Sequence, residues 1–244
     1  MRYFFRHVDT FLSISPANRE YLQKYGAKDQ QIVDTSFPID ISRLKNQQAA
    51  LDEQQLNDLR TEFSISQTAN VLVVVCKLIP RKRVSDVVNA MAKLADKGAH
   101  LLVLGSGECQ DELEQQAEGL GVKSRVHFVG FVNQSKLAAY FAISDLMIFP
   151  SENEPYGAVV AEGLPFSLPV IIASEIGAIG ASAIVGENAL MYGVGDVDDM
   201  VRQIDHILSD ESIKSAFSSY SRSIAEQHDK RMMASEIVKV CKGH

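Results

Sequence analysis

A doubly wound, parallel α/β sheet is the fold class this sequence predicts, and three of its features point there. From Asn70 onward, runs of four to seven apolar residues alternate with stretches of helical periodicity. The runs lack the in-out alternation of a half-solvated strand, so both faces of the sheet must be covered. Helices that join successive strands make parallel crossovers of one hand, and these build an open sheet with helices on both sides. With 244 residues the chain can bury one such core and a smaller unit beside it.

The first elements belong to the smaller unit. TFLSIS (10–15) is a short strand by composition, and SPANREYLQKYGA follows as helix, with Ser15 as N-cap, Pro16 in the first turn and Gly26 as the stop. QIVDTSF (31–37) reads as a second short strand running into Pro38. Residues 45–69 are polar and rich in Gln, and read as a partly helical linker.

The sheet then opens with VLVVVC (71–76), and SDVVNAMAKLADKG (85–98) is its first crossover helix. HLLVLG (100–105) is strand, GECQDELEQQAEGLGV helix, RVHFVGF strand and SKLAAYFAIS helix. DLMIFPS is strand, PYGAVVAEGLPFS helix and LPVIIAS strand. Five glycines between 175 and 196 predict a loop that folds back, with short extended pieces near AIV and ALMY. DVDDMVRQIDHILSD has acidic residues in its first turn and apolar ones at 197, 200, 201, 204, 207 and 208, an amphipathic helix. Residues 210–242 are also helical in pattern, and their end is expected to pack on something beyond this sheet.

Composition narrows the function. A net charge of -7 gives no footprint for nucleic acid, though a local group of Lys residues and backbone amides can still hold a small anion. Three cysteines without CxxC spacing or a neighbouring His fit a reducing, cytoplasmic setting and argue against a structural zinc. No segment has the apolar length of a membrane span. The start, MRYFFRHVDTFLSIS, lacks the apolar core of a signal peptide. Its aromatics with Arg and His leave peripheral contact with a membrane open, beside the alternative of a domain interface.

In such a sheet ligands sit beyond the C-terminal strand ends, and four segments fall there. CKLIPRKR (76–83) places Lys77 and Lys82 where both can reach one diphosphate, with Arg81 and Arg83 adding charge; a solvated basic turn is the alternative. GSGE (105–108) lets the chain turn close to a ligand through Gly105 and Gly107, although an ordinary tight turn reads equally well. ENEPYGAVVAEG sets Glu154 and Glu162 eight positions apart around small and apolar residues. Placed on one helix, the two acids differ by about 80°. Glu154 suits sugar hydroxyls and Glu162 a second pair of hydroxyls, against the reading in which Glu154 caps the helix and Glu162 is exposed. IGAIGAS (176–182) permits close backbone approach to a sugar, or is simply a mobile loop. His100 and His127 open strands and read as packing residues, and the missing G-x-S-x-G elbow removes a hydrolase triad.

Together these segments resemble the retaining glycosyltransferases of the two-Rossmann-domain (GT-B) type, glycosyltransferase group 1 or family 4. The resemblance runs from about Val71 to the C-terminus and more weakly over 8–40. It is carried by the Glu154 to Glu162 signature with PYG inside it, by GSGE, by VHFVGFVNQSKLAAYFAISDLMIFPS and by SLPVIIASEIGAIGASAIVGENALMYGVGDVDDM. The family's Arg and Lys pair is met as Lys77 and Lys82, which keeps the charge and loses the bidentate fork. The Pro and Glu that usually continue the donor loop are Gly180 and Ala181 here.

The resemblance implies transfer of a sugar from a nucleotide-diphosphate sugar to a glycan or lipid-linked acceptor hydroxyl with retention, in surface polysaccharide or lipopolysaccharide synthesis. It implies that Lys77 and Lys82 hold the diphosphate, Glu154 the donor sugar and Glu162 the ribose, with Tyr156, Gly157, Gly105 and Gly107 around the nucleotide sugar. Neither a metal nor a further cofactor is demanded. It divides the chain into a remnant of an acceptor-side domain (1–44), a linker (45–69), a donor-binding domain (70–225) and a helix crossing back to the N-terminal half (226–244). Since a full N-terminal half is not recognised, the alternatives are a non-catalytic nucleotide-sugar-binding subunit or fragment that needs a partner chain, and, on the same architecture, a sugar-nucleotide epimerase.

Overall fold

The structure, a computed structural model, describes residues 2–242; residues 243 and 244, the end of the expected C-terminal helix, lie outside the described residues, as does Met1. A small unit comes first: α1 (Arg2–Phe5), β1 (Phe11–Ser13), α2 (Pro16–Lys24) and β2 (Ile32–Asp34). The two strands pair in parallel, Phe11 opposite Ile32 and Ser13 opposite Asp34. Ser15 caps α2 by accepting from the Asn18 N–H, and Pro16 occupies the first turn, where its missing N–H costs nothing. Phe5, Phe11, Leu22, Ala27 and Ile32 form a separate small core.

Helices α3 (Ile41–Ala49) and α4 (Glu53–Glu62) lead to the main sheet. Its strands are β3 (Val71–Val75), β4 (His100–Leu104), β5 (Val126–Gly130), β6 (Leu146–Phe149), β7 (Val170–Ala173) and β8 (Ala189–Tyr192). They lie in the order β5-β4-β3-β6-β7-β8, every pair parallel. The remaining helices are α5 (Val84–Lys93), α6 (Gln110–Gly119), α7 (Gln134–Ala142), α8 (Ala158–Gly163), α9 (Val197–Ser209), α10 (Glu211–Ile224) and α11 (Lys230–Cys241). α5 packs against α6 and α9, while α7, α3, α10 and the 3-10 turn Leu164–Phe166 form a second packed group. β3 and β4 are buried on both faces, as their unbroken apolar runs require. This strand order is that of a doubly wound Rossmann sheet, and its direction of winding reverses between β3 and β6, where a crevice opens at the C-terminal strand ends.

Two local expectations are revised, those for residues 45–69 and for the helix over PYGAVVAEGLPFS. Residues 45–69 include the end of α3 and all of α4, both packed on α7, with Ile41, Leu44 and Ile65 buried in the main core. Gln-rich composition hid the narrow apolar stripe that docks them. The extended piece expected at ALMY is present as the sixth strand, paired with β7 from Ala189 to Tyr192. The helix expected over PYGAVVAEGLPFS is only the six residues of α8 plus the 3-10 turn, since Gly157 takes the left-handed φ of 94° just before it. Glu154 therefore stands outside the helix, and the rotation expected between it and Glu162 does not apply.

The chain crosses twice between the small unit and the main one, and the crossings are tied together. Ile39 N–H donates to the His228 carbonyl and Lys230 N–H to that of Ile39, both at 2.8 Å. Asp229, almost fully buried, caps α11 through the Arg231 N–H and takes the Arg231 guanidinium at 2.6 and 3.0 Å. Beyond that anchor α11 buries nothing and exposes Met232, Ile237 and Val238.

At the opposite edge of the sheet from the crevice, His100 and His127 stack at 5.2 Å, with Nδ1 of one 2.9 Å from Nε2 of the other. Phe63 covers His127. Burial, then the neighbouring His100, pushes His127 down to about 4. An unfolded histidine takes its proton near 6.5, so the unfolded chain binds more protons between those values. Thermal unfolding midpoints should therefore be flat above about pH 6.5 and fall as pH drops toward 4. A His127→Gln variant should flatten that limb; an unchanged limb would place the acid sensitivity elsewhere.

Candidate functional site

The crevice is built from its floor upward by backbone. After β3 the chain runs through Cys76, Lys77 and Leu78 alongside the turn that follows β4. Cys76 N–H donates to the Leu104 carbonyl and Leu78 N–H to that of Ser106, both at 3.0 Å, while Cys109 N–H returns to Leu78 at 3.1 Å. A Cβ on Gly105, itself at φ 137°, would lie 1.8 Å from the Cys76 carbonyl oxygen, and one on Gly107 2.1 Å from that of Leu78. Both glycines are thus required for one backbone to lie against another. Lys77 is exposed on the ridge they support, beside an apolar cavity of about 390 Å³ that includes Cys76, Gly105, Ser106, Phe131 and Val132. Burial pushes the Cys76 thiol up to about 12, which leaves it unreactive.

Lys82 ends the 3-10 turn Pro80–Lys82 and reaches across the winding reversal to the loop after β6. Its ammonium donates to Oε2 of Glu154, and Nη1 of Arg81 donates to the same oxygen at 3.1 Å. The Lys82 and Glu154 side chains are 12% and 17% exposed, so this pair is shielded far more than a surface bridge. Burial works to raise the Glu154 pKa, but Lys82 and Arg81 outweigh it and hold the carboxylate below its usual range. The Lys82 ammonium also lies 5.8 Å from the centre of the Phe149 ring. Arg83, at a left-handed φ of 48°, fastens the turn from behind through Asp86 at 2.7 Å and Glu152 at 3.4 Å.

Glu154 also holds the glycine-rich loop through its backbone. Its N–H donates to the Glu175 carbonyl at 3.2 Å, and Gly177 N–H donates back at 3.0 Å. A Cβ on Gly177 would sit 1.8 Å from the Pro155 carbonyl oxygen, so the loop lies flat on this segment. At Gly157 a Cβ would meet the Phe149 ring at 2.7 Å. Tyr156 is buried and stacked on Phe37 at 4.4 Å, and burial pushes its phenol up to about 12. Glu162 is half-buried on α8, makes no hydrogen bond or ion pair among the described residues, and has its pKa raised by burial, with Arg43 as the nearby cation.

Of the residues singled out in the sequence, Lys82 and Glu154 are brought into direct contact. Lys77 joins Gly105 at the neighbouring cavity, and Tyr156 and Gly157 shape the floor beside Glu154. Lys77 and Glu162 make no ion pair among the described residues. Sequence reasoning passed over Phe131, 80% exposed at the cavity rim, and Ser151, fully buried at the end of β6 with an unpartnered hydroxyl. An aromatic at the end of an apolar run looks like core, and one serine among acids looks solvated, so neither carried a signal.

Residues 57–224 match the family Glycosyl transferases group 1, and the protein belongs to that family. It is 31% identical over 162 residues to the N-acetyl-alpha-D-glucosaminyl L-malate synthase of Bacillus anthracis, covering 66% of this chain and 42% of that one. It is 28% identical to the lipopolysaccharide core biosynthesis glycosyltransferase LpsE of Rhizobium meliloti, covering 86% of this chain and 57% of that one. Anabaena HepE, solved in complex with UDP, superposes with a TM-score of 0.85 at 21% identity over 98% of this chain and 65% of its own. The chain spans about half the length of these curated relatives. The fold is that of the C-terminal, Rossmann-like domain of GT-B glycosyltransferases.

The crevice floor makes a sharp prediction. Gly107→Ala should lower stability by roughly 3 kcal/mol or more, because backbone must move to admit a methyl group. Gly119→Ala, where a Cβ meets nothing within 4 Å, should be neutral or slightly stabilising. Equal denaturation midpoints for the two variants would contradict the packing described.

Proposed function

We propose that this chain carries the donor site of a glycosyltransferase that moves a sugar from a nucleotide-diphosphate sugar to an acceptor hydroxyl with retention. The observation that carries this reading is the shielded contact of Lys82 with Glu154 at the winding reversal, with the more exposed Arg81 on the same carboxylate oxygen. During transfer the bond from the anomeric carbon to the diphosphate oxygen breaks with its electron pair on phosphate. Fixed cations stabilise that developing charge more than they stabilise the ground state. Lys82 and Arg81 are already held there, and Lys77 is the exposed cation on the adjoining ridge. Glu154, accepting strongly and directionally, orients donor-sugar hydroxyls. Glu162, half-buried without a partner among the described residues, is assigned to the ribose, and Tyr156, Gly157, Gly105 and Gly107 to the walls around the nucleotide sugar. No metal is needed in this scheme, since side chains supply the positive charge.

The likeness to LpsE, named for lipopolysaccharide core biosynthesis, supports a role in lipopolysaccharide or other surface polysaccharide synthesis, which this reading puts in the cytoplasm. Among the described residues no helix is long and apolar enough to cross a membrane. The domain division proposed is a donor-binding domain over 70–225, with 1–44 a remnant of an acceptor-side domain and 226–244 a helix crossing back to the N-terminal half. A second reading, a nucleotide-sugar-binding subunit completed by a partner chain, is favoured by the apolar side chains that α1 and α11 expose, among them Phe4, Met232 and Val238.

Calorimetric titration with UDP, GDP and their sugar conjugates tests the site. At least one should bind, and Lys82→Ala should weaken it by about tenfold to a hundredfold, the range for a lost charged hydrogen bond. Lys77→Ala should weaken it less, and Lys77→Arg should retain it. Absence of binding by every nucleotide tried would sink the donor-site assignment. Transfer by the chain alone, with the product's anomeric configuration read by NMR, separates the enzyme from the subunit.

A further inference from the structure

Arg83 follows Lys82 at the junction between the 3-10 turn Pro80–Lys82 and α5, and its backbone there is left-handed, with φ 48° and ψ 34°. That conformation is unfavourable for a residue with a Cβ, whereas glycine takes it freely. Three contacts hold the Arg83 side chain in place. Nε donates to Asp86 at 2.7 Å and Nη1 to Glu152 at 3.4 Å, and a Cβ on Gly195 would lie 2.8 Å from Nη2. Asp86, in the first turn of α5, is 8% exposed, so the guanidinium is anchored in the packed layer beneath the loops.

The junction decides where Lys82 points. Lys82 N–H donates to the Ile79 carbonyl at 2.9 Å and Arg83 N–H to that of Pro80 at 3.0 Å, which closes the turn; Asp86 N–H donates to the Arg83 carbonyl at 3.0 Å, which starts α5. Glu152 N–H donates to the Arg81 carbonyl at 2.8 Å, so main chain and the Arg83 side chain both tie the loop after β6 to this turn. Sequence order groups Arg83 with the cations that add charge for a diphosphate. The structure turns its guanidinium to Asp86 and Glu152 instead, and among the described residues Glu154 pairs with Lys82 and Arg81.

We propose that Arg83 is a positioning residue: its clamp on Asp86, Glu152 and Gly195 holds a left-handed turn that an arginine would otherwise leave, and that turn sets Lys82 on Glu154. The consequence for nucleotide binding rests on the donor-site reading above; the consequence for the Lys82–Glu154 contact does not.

Two measurements on the full chain test it. Carbon-13 NMR of the Glu154 carboxyl, assigned with Glu154→Gln, follows its titration and reads the contact without a ligand, while calorimetry with UDP and GDP reads the site. In Arg83→Ala the Glu154 titration should move to higher pH as Lys82 leaves it. Affinity for the nucleotide that binds should fall by about tenfold, the scale of the left-handed penalty. Arg83→Gly loses the same charge and the same clamp but suits this φ, and should return both readings toward those of the parent chain. Asp86→Asn gives a distinguishing sign: by charge alone, losing a carboxylate lowers the Glu154 titration and tightens binding of an anion, whereas losing the clamp raises the one and weakens the other. An unshifted Glu154 titration in both Arg83→Ala and Asp86→Asn, an Arg83→Gly chain as impaired as Arg83→Ala, or tighter nucleotide binding by Asp86→Asn would overturn the proposal. A shifted carboxyl with no nucleotide binding by the parent chain would keep the role of Arg83 and remove the donor reading, while nucleotide binding with an unshifted carboxyl would do the reverse.

Discussion

The arrangement depends on one contact, the ammonium of Lys82 against the carboxylate of Glu154. The two residues stand 72 positions apart, on loops that leave β3 and β6, and they meet because those strands are neighbours with parallel direction. A carboxylate and an ammonium this shielded are stable together and costly apart. Each therefore holds the other's loop, and on the reading proposed above the same pair offers a cation to phosphate and an acceptor to hydroxyls.

Glycines make the contact possible without taking part in it. Gly105 and Gly107 let the β4 turn lie against Cys76 and Leu78, which fixes the ridge carrying Lys77. Gly177 lets the later loop lie on Pro155, and the main-chain bonds of Glu154 lock that loop in place. Side chains at these positions would hold the segments apart by more than an ångström. The crevice is therefore a product of backbone packing first and of side-chain charge second.

The small unit has a different physical character. A two-stranded parallel sheet buries little and has few hydrogen bonds of its own. It is held to the main core by the paired crossings at Ile39 and Asp229 and by the Phe37 stack on Tyr156. That stack joins the small unit to a residue two positions from Glu154, so the placement of the unit and the shape of the crevice are not independent. The family to which the protein belongs matches residues 57–224, which include the sheet and crevice but stop short of these crossings.

Much of this was legible in the residues alone. Unbroken apolar runs such as VLVVV and HLLVL must be covered on both sides, so the parallel sheet and its crossover helices followed from pattern, and the C-terminal strand edge followed from chain direction. The extended piece expected at ALMY is strand β8, and periodicity failed where one glycine broke it: Gly157 shortened the helix that was to carry both acids. Sequence determined which charged residues lie at the crevice edge, because strand ends are local. Which of them touch was decided by tertiary structure alone, since strand order and loop direction place Lys82 on Glu154 while Glu162 makes no ion pair, and neither is encoded by neighbours in the chain.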